Sequence, residues 1–252
     1  MNHKIRLLIS PKTIKEAKIV IEKKIKYIDC KNPEEGSLGA NFPWIIKEMK
    51  SLIPSDSSQL LSATIGDFPN LPGSASLAAL GAAFSGADII KIGLKGPINE
   101  KSAIKLMKKV VKAVKDYNNN IKIVTAGYAD QIRMVSSPKF MSIPIIASES
   151  GSEIVMLDTF IKDNLGLFDF LTVDQLIQFK DKAKSLDLDV ALAGNLRKKD
   201  IPPLIHISPD IIGVRSVVCD GYDRNNGSIN PNLIEQLKTE LYTKQEEYIK
   251  SI

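Results

Sequence analysis

The sequence predicts an α/β protein of the TIM-barrel class, in which eight strand–helix units close into a (β/α)8 barrel. Short apolar runs alternate with segments of helical periodicity along the whole chain, and this alternation is typical of parallel strands covered by helices. Eight such units within 252 residues match the usual size of this barrel, about 250 residues. No linker or low-complexity stretch interrupts the pattern, so one domain is expected over residues 1–252.

The strands are predicted where β-branched and other apolar residues cluster in short runs. These runs are residues 5–9, 27–30, 60–65, 88–92, 121–126, 153–157, 189–193 and 211–214. A doubly wound open sheet is the alternative architecture. It is disfavoured because the first strand is not followed by the Gly-rich turn of a dinucleotide site.

Helix starts are indicated by capping residues between these runs. Thr13-x-x-Glu16 and Thr172-x-x-Gln175 each predict a capping box, in which two side chains satisfy backbone N–H groups of the first turn. Asn230 precedes a proline, which is typical of an N-cap followed by the first helical residue. These signals place helices after the first, sixth and eighth strands.

Other helices are indicated by periodicity alone. Helices are expected near residues 43–53 and 74–84, and Gly86 can end the second of them. Residues 130–150 show poor periodicity and receive no firm assignment. The clearest amphipathic spacing follows the fourth strand, at Ala103, Ile104, Met107, Val110, Val111 and Val114.

The composition is ordinary for a soluble globular protein, with 44% hydrophobic and 25% charged residues. No apolar run approaches the roughly 20 residues of a membrane-spanning helix, and the N-terminus lacks the apolar stretch of a signal peptide. Cys30 and Cys219 are the two cysteines and fit a reducing compartment. We therefore expect a cytoplasmic protein with no membrane partner.

The net charge of +5 and the pI near 9.0 raise the question of a polyanionic partner. The lysines are scattered and only 6% of residues are aromatic, unlike the basic, aromatic-lined grooves that bind single strands. We expect no nucleic-acid partner and attribute the charge to solvated helix faces, helped by an anionic substrate. His3 and His206 are the only histidines, so no metal site is expected and a Ser-His-Asp triad is poorly supplied.

Two lysines end predicted strands, where the working face of a barrel lies. Lys31 follows the second strand and Lys91 lies near the end of the fourth. Asp29 is two residues before Lys31, so both should point to the same side and the carboxylate should lie beside the Lys31 ammonium. A lysine forms imines when burial or another cation lowers its pKa. The pair therefore suggests Schiff-base chemistry; the alternative is that each lysine snorkels to the surface.

Further polar residues follow the sixth strand. Asp158 could orient a lysine or move protons, and Lys162 could bind phosphate as a point charge. The alternative is that Asp158 caps the following segment.

The loops after strands seven and eight are the usual phosphate site of this architecture. They contain Gly194 and Asn195 in one loop, and Gly213, Arg215 and Ser216 in the other. Glycine permits close approach of backbone N–H groups, and Arg215 could bind an anion bidentately. These five residues are the predicted phosphate-binding set.

Residues 36–44 form an unusual loop after the second strand and contain the only tryptophan, Trp44. The loop could act as a lid or as a subunit contact, which leaves a homo-oligomer open. A third interpretation is a connector whose tryptophan plugs the barrel rim.

These motifs together resemble the (5-formylfuran-3-yl)methyl phosphate synthases (4-HFC-P synthases) of methanofuran biosynthesis. The longest and most specific run is DCKNPEEGSLGANFPW at residues 29–44. The resemblance continues in order along essentially the whole chain, with SATIGD at 62–67, IKIGL at 90–94, AGYAD at 126–130, LDT at 157–159, LAG at 192–194, GVR at 213–215 and DRNNG at 223–227. It is weaker over residues 131–148, and Asn195 stands where a serine is expected.

The resemblance implies a (β/α)8 enzyme that condenses two glyceraldehyde 3-phosphate molecules into a furan phosphate with loss of phosphate and water. It implies that Lys31 forms the Schiff base, that Lys91 is the proton acceptor, and that Asp29, Asp158 and Lys162 also belong to the active site. The implied partner is a small phosphorylated aldehyde, and no metal or organic cofactor is implied.

Two other functions stay open on the sequence. The first is a class I aldolase-like Schiff-base enzyme acting on another sugar phosphate, which would yield no furan chromophore. The second is a non-catalytic anion or nucleic-acid binder, which would show steeply salt-dependent binding to polyanions and no covalent adduct.

Overall fold

Eight parallel strands close into a barrel in sequence order, as predicted. The structure, a computed structural model, describes residues 4–251; residues 1–3 and 252, including His3 and both ends of the predicted domain, lie outside the described part. β8 pairs with β1 through the register Leu8↔Gly213, which closes the ring. The strands are β1 Arg6–Ile9, β2 Tyr27–Cys30, β3 Leu60–Phe68, β4 Ile89–Leu94, β5 Lys122–Tyr128, β6 Ile154–Asp158, β7 Asp189–Leu192 and β8 Ile211–Val214.

Helices cover the outside of the barrel. They are α1 Ile14–Glu22, α2 Pro43–Ser51, α3 Pro72–Phe84, α4 Glu100–Tyr117, α5 Ile143–Ser150, α6 Leu167–Phe170, α7 Val173–Lys184, α8 Ile201–Ile207 and α9 Pro231–Ser251. The segment without clear periodicity contains two 3-10 turns, Gln131–Arg133 and Phe140–Ser142, before α5 begins. Within residues 4–251, no helix combines the length and apolar character required to cross a membrane.

The strands are buried on both faces, because successive side chains point alternately toward the helices and into the barrel. Ile28 and Ile90 belong to the outer core beneath the helices. Tyr27 and Ile89, one residue earlier, belong to the inner core together with Met156. This alternation decides which polar residues further along each strand enter the mouth of the barrel.

The predicted caps are confirmed in part. Thr172 and Gln175 form the complete capping box at the start of α7. At α1, Thr13 accepts from the Glu16 N–H, as predicted. The other half of that box is wrong, because the Glu16 carboxylate accepts from the Lys12 N–H and pairs with a distant arginine instead. A charge-assisted pair outweighs a local cap.

Candidate active site

The barrel mouth collects the polar side chains that continue the inward-facing positions. In β2, Tyr27 points inward, so Asp29 and Lys31 follow at intervals of two residues. In β4, Ile89 points inward and Lys91 follows it. Asp29, Lys31 and Lys91 are all buried. The structure therefore brings both predicted lysines into one enclosed site, and the alternative of lysines that snorkel to the surface is wrong.

An ion pair occupies the floor of the mouth. Lys91 Nζ lies 2.8 Å from Asp29 Oδ1, and each of the two side chains is 1% exposed. Ser10 Oγ donates to the second carboxylate oxygen, Asp29 Oδ2, at 2.8 Å. Burial acts to raise the pKa of Asp29, but the Lys91 and Lys31 charges and these hydrogen bonds outweigh it, so the pKa is lowered. Asp29 is therefore ionised, and its direct partner is Lys91.

The sequence predicted that the Asp29 carboxylate lies beside the Lys31 ammonium. This prediction needs correction, because the direct partner of Asp29 is Lys91. Lys31 is 8% exposed, and within the described residues its amine makes no hydrogen bond or ion pair. Burial lowers the pKa of Lys31 to about 8. The negative charges of Asp158 and Asp29 oppose this shift, and the positive charges of Lys162 and Lys91 add to it. About a tenth of Lys31 is therefore the neutral, nucleophilic amine at pH 7, far more than for a lysine with the ordinary pKa.

A second carboxylate–lysine pair lies at the rim, after β6. Lys162 Nζ donates to Asp158 Oδ1 at 2.7 Å, and the Thr159 N–H donates to the same oxygen at 2.8 Å. Burial acts to raise the pKa of Asp158, but the charges of Lys162 and Lys31 outweigh it and hold the pKa at about 2. The first helix after Asp158 begins only at Leu167, so the interpretation of Asp158 as a helix cap is wrong.

The loops after β7 and β8 line the same cavity as Lys31 and Asp158. Gly194 has φ +108°, and a Cβ there would lie 3.1 Å from the Thr159 backbone nitrogen, so a side chain would not fit without movement. Asn195 also has a positive φ, +46°, and its Oδ1 accepts from Ser216 Oγ at 3.3 Å. Gly213 and Arg215 complete the lining on this side. All five predicted phosphate-binding residues therefore meet at one cavity.

Arg215 does not present a free guanidinium fork to the cavity. Nη1 donates to Glu16 Oε2 at 2.8 Å and to the Ser10 carbonyl oxygen at 2.8 Å, and Nη2 donates to Glu16 Oε1 at 3.3 Å. The bidentate fork predicted to hold an anion is thus taken by a carboxylate. A neighbouring cation, Arg224, also lines the cavity and was not predicted as a site residue. Its signal in the sequence is the DRNNG motif, which contributed only to the family resemblance.

The loop after β2 is fastened to the end of the neighbouring strand, β3. Asp67, at the end of β3, accepts the backbone N–H of Ser37 at 2.7 Å and that of Leu38 at 3.2 Å. Tyr128, at the end of β5, donates its hydroxyl to the same carboxylate. The loop is therefore held by a carboxylate that two other strands support.

Trp44 does not plug the barrel rim. It is 64% exposed and stacks on Phe42, with ring centroids 4.8 Å apart. The interpretation of this residue as a plug is therefore wrong.

No cluster of three or more His, Cys, Asp or Glu side chains in the described part of the chain has the arrangement needed to hold a metal ion. Asp29 and Asp158 are instead each paired with a lysine ammonium, that of Lys91 and that of Lys162.

Solved structures support the same fold. A structure of the KGPDC of Streptococcus mutans has a TM-score of 0.65 and 13% sequence identity, with 95% of this chain and 98% of that chain covered. A dihydrodipicolinate synthase has a TM-score of 0.64 and 12% identity, with 98% of this chain and 79% of that chain covered. At this identity the likeness concerns the architecture alone, that of a TIM barrel.

The fold, the buried charges of its mouth and the relatives define the chain as a TIM-barrel enzyme. A model of the 4-HFC-P synthase family matches residues 7–238. The chain is 51% identical to the (5-formylfuran-3-yl)methyl phosphate synthase of Methanocaldococcus jannaschii, over 92% of this chain and 97% of that protein. It is 47% identical to the enzyme of the same name from Methanothermobacter thermautotrophicus, with the same coverage. The chain belongs to the 4-HFC-P synthase family.

Proposed function

We propose that this protein is a (5-formylfuran-3-yl)methyl phosphate synthase acting in methanofuran biosynthesis. In this proposal it condenses two glyceraldehyde 3-phosphate molecules through a Schiff base on Lys31. The observation that carries the proposal is the contrast within the mouth: Lys31 is buried without a carboxylate partner and has a pKa of about 8, whereas Lys91 is paired with Asp29 at 2.8 Å. A buried amine with a lowered pKa is the nucleophile that imine formation requires.

The first step is attack of the neutral Lys31 amine on the aldehyde of one triose phosphate. Loss of water gives a protonated imine, so the nitrogen acquires a positive charge. Asp29 and Asp158 both interact electrostatically with this nitrogen and stabilise the new charge. The imine then withdraws electrons from the adjacent carbon and makes its C–H bond acidic.

Imine formation also prepares Lys91 to act as the base. Asp29 interacts with the charges of both lysines, and while Lys31 is neutral it balances the ammonium of Lys91. Loss of the hydroxyl as water consumes one proton, and the Lys91 ammonium can supply it, so that Lys91 is left neutral as the Lys31 nitrogen becomes cationic. The neutral Lys91 then removes the proton from the carbon next to the imine, a general-base step.

The order of the remaining steps follows from the carbon skeleton of the product. Proton removal gives an enamine, which expels the phosphate at the third carbon and leaves that carbon as an enol nucleophile. The furan carries its phosphorylated methylene on ring carbon 3, so the new bond must form at the central carbon of the second triose. The second triose therefore reacts as its ketone isomer. Ring closure by its terminal hydroxyl and loss of water complete the product, so two triose phosphates give one furan phosphate, one phosphate and two waters.

Asp158 and Lys162 are suited to the proton transfers of elimination and dehydration. The carboxylate contacts the ammonium at 2.7 Å at the edge of the cavity, so a proton can pass between them and a leaving oxygen. An ammonium at this position can also neutralise the departing phosphate as a point charge.

The direct test is incubation of pure protein with glyceraldehyde 3-phosphate alone. We expect a product with the mass of the furan phosphate, absorbance in the near ultraviolet, and one inorganic phosphate released per product. A hexose bisphosphate, without phosphate release or a chromophore, would instead assign a class I aldolase-like reaction. Absence of any product, together with salt-sensitive binding of polyanions, would assign a binding protein.

A further inference from the structure

Four cationic side chains line the cavity that contains Lys31, and two of them are already neutralised. Lys162 contacts Asp158 at 2.7 Å, and Arg215 forms a buried pair with Glu16 at 2.8 Å. Lys31 is the amine assigned to imine formation. The fourth cation is Arg224, which lies in the loop after β8.

Arg224 is half-buried, and within the described residues its guanidinium makes no hydrogen bond or ion pair. Burial lowers its pKa and the charge of Asp158 opposes that shift, so the group is partly removed from water and lies within the field of the active site. A guanidinium carries five N–H donors and no acceptor. Donors that are partly desolvated and have no acceptor in the protein favour an anion in the cavity.

The paired arginine holds the unpaired one in place. Arg215 Nε donates to the Arg224 carbonyl oxygen at 3.0 Å. Glu16, which forms the ion pair with the Arg215 guanidinium, also accepts a hydrogen bond from the Ile229 N–H at 3.1 Å. The loop that carries Arg224 is therefore tied to α1 and to the end of β8 at two points.

We propose that Arg224 binds a phosphate group of the substrate in the cavity that Gly194 and Gly213 also line, and that the Arg215–Glu16 pair positions it. Arg215 is thus a positioning residue, and the anion is recognised by the neighbouring arginine. The inference rests on the proposed phosphorylated substrate, but it concerns a different group from the Lys31 imine. The two can therefore fail separately.

The test compares trapping of the Lys31 imine by borohydride with two aldehydes, glyceraldehyde 3-phosphate and unphosphorylated glyceraldehyde. In Arg224→Gln we expect the concentration of the phosphorylated aldehyde needed for half-maximal trapping to rise about 10- to 100-fold, the range for loss of hydrogen bonds to a charged group. Trapping of glyceraldehyde should not change. Arg224→Lys, which keeps the charge but not the fork, should lie between.

The matched control is Arg197→Gln, which removes an arginine from the loop after β7 that does not line this cavity. It should leave both aldehydes unaffected. Equal weakening of both aldehydes in Arg224→Gln, or no weakening of either, would overturn the assignment. A weakening of the same size in Arg197→Gln would also overturn it, since that result would show a general charge effect.

Calorimetric titration with inorganic phosphate provides a readout that does not depend on the imine. Wild-type protein should bind phosphate and Arg224→Gln should bind it at least about 10-fold more weakly. If wild type forms no adduct but shows this difference, the Schiff-base proposal fails and the anion site stands. If both proteins bind phosphate equally, or if wild type binds none, the anion site fails.

The positioning role predicts non-additivity. Glu16→Gln should raise the concentration of the phosphorylated aldehyde needed for half-maximal trapping. The concentration of glyceraldehyde needed for half-maximal trapping should stay unchanged. In the double variant with Arg224→Gln, the Glu16 change should add no further effect, because it acts through Arg224. Additive losses would show that Glu16 and Arg215 do not act through that side chain.

Discussion

Lys91 and Lys31 project into the same barrel mouth from β4 and from the end of β2, but their surroundings differ. On the floor, Lys91 touches a carboxylate whose second oxygen is held by Ser10. Nearer the rim, Lys31 has no such contact, and burial lowers its pKa to about 8. One residue type, buried in the same mouth, is therefore prepared for different chemistry according to whether its amine contacts a carboxylate.

We expect the strongest loss of function when Lys31, the lysine nearer the rim, is replaced. Lys31→Ala should abolish product formation and borohydride-dependent mass addition, because no other amine in the mouth is both buried and without a carboxylate partner. The measurement is the mass of the intact protein after trapping, followed by mapping of the modified peptide. Lys26→Ala, which removes an amine at the opposite end of β2, outside the mouth, is the control and should trap normally. If Lys31→Ala still formed an adduct on another lysine, Lys31 would not be the amine that forms the imine.

The next largest loss is expected when the Lys91–Asp29 ion pair on the floor of the mouth is broken. Lys91→Met should lower turnover about 10²–10⁴-fold, the usual contribution of a positioned base, while the Lys31 imine still forms. It should also lower the free energy of unfolding by about 3–5 kcal/mol, because Asp29 is left buried without its counter-charge.

A double variant separates these two consequences. Asp29→Asn combined with Lys91→Met removes both charges, so stability measured by denaturant titration should recover toward wild type while activity stays low. Recovery of activity together with stability would mean that Lys91 has only a structural role.

The pH dependence of trapping reports the pKa of Lys31 directly. The imine requires a neutral amine, so the trapping rate at Lys31 should rise with pH, pass its midpoint near 8 and level off above it. An unperturbed lysine would pass its midpoint near 10.5. Asp158 acts to raise the pKa of Lys31, so Asp158→Asn should move the midpoint to lower pH. Asp116→Asn, which removes an exposed carboxylate on α4, should not move it. A midpoint near 10.5 in wild type would contradict the enclosed site.

The fold and the identity of the mouth residues could be predicted because both follow from local pattern. Apolar runs locate the strands, and the period of two in β2 places Tyr27, Asp29 and Lys31 on one side. The partner of Asp29 could not be predicted in this way. It depends on the registers Asp29↔Ser62 and Ser62↔Ile89, which bring β4 to the level where Lys91 reaches the carboxylate.

The role of Arg215 was also beyond local pattern. Its pairing with Glu16 joins residues 199 positions apart and exists only because β8 closes on β1. The sequence motif therefore identified a cation at the correct loop but not the carboxylate that occupies it. No role could be predicted for Arg224 for the same reason. Its guanidinium stands out as the unpaired donor only when the pairing of Arg215 with Glu16 is known.

The smallest effect is expected for the loop after β2, which Asp67 and Tyr128 hold at the ends of β3 and β5. Tyr128 is fully buried and donates to Asp67, the carboxylate that holds the Ser37 N–H at 2.7 Å. Tyr128→Phe should lower the free energy of unfolding by about 1.5–3 kcal/mol, the range for a hydrogen bond to a charged group. The exposed Tyr117→Phe is the matched control and should change stability by less than about 0.5 kcal/mol.

The only tryptophan gives the same variant a local readout, because Trp44 ends this loop and lies in the first turn of α2. Loosening of the loop should increase quenching of Trp44 fluorescence by a small neutral quencher in Tyr128→Phe and not in Tyr117→Phe. Trapping at Lys31 should then show a higher midpoint pH, because water that enters the mouth weakens the desolvation that lowers the pKa of this amine. An unchanged midpoint with increased quenching would show that the loop is separate from the electrostatics of the mouth, and that the contrast between the two lysines is set by the barrel strands alone.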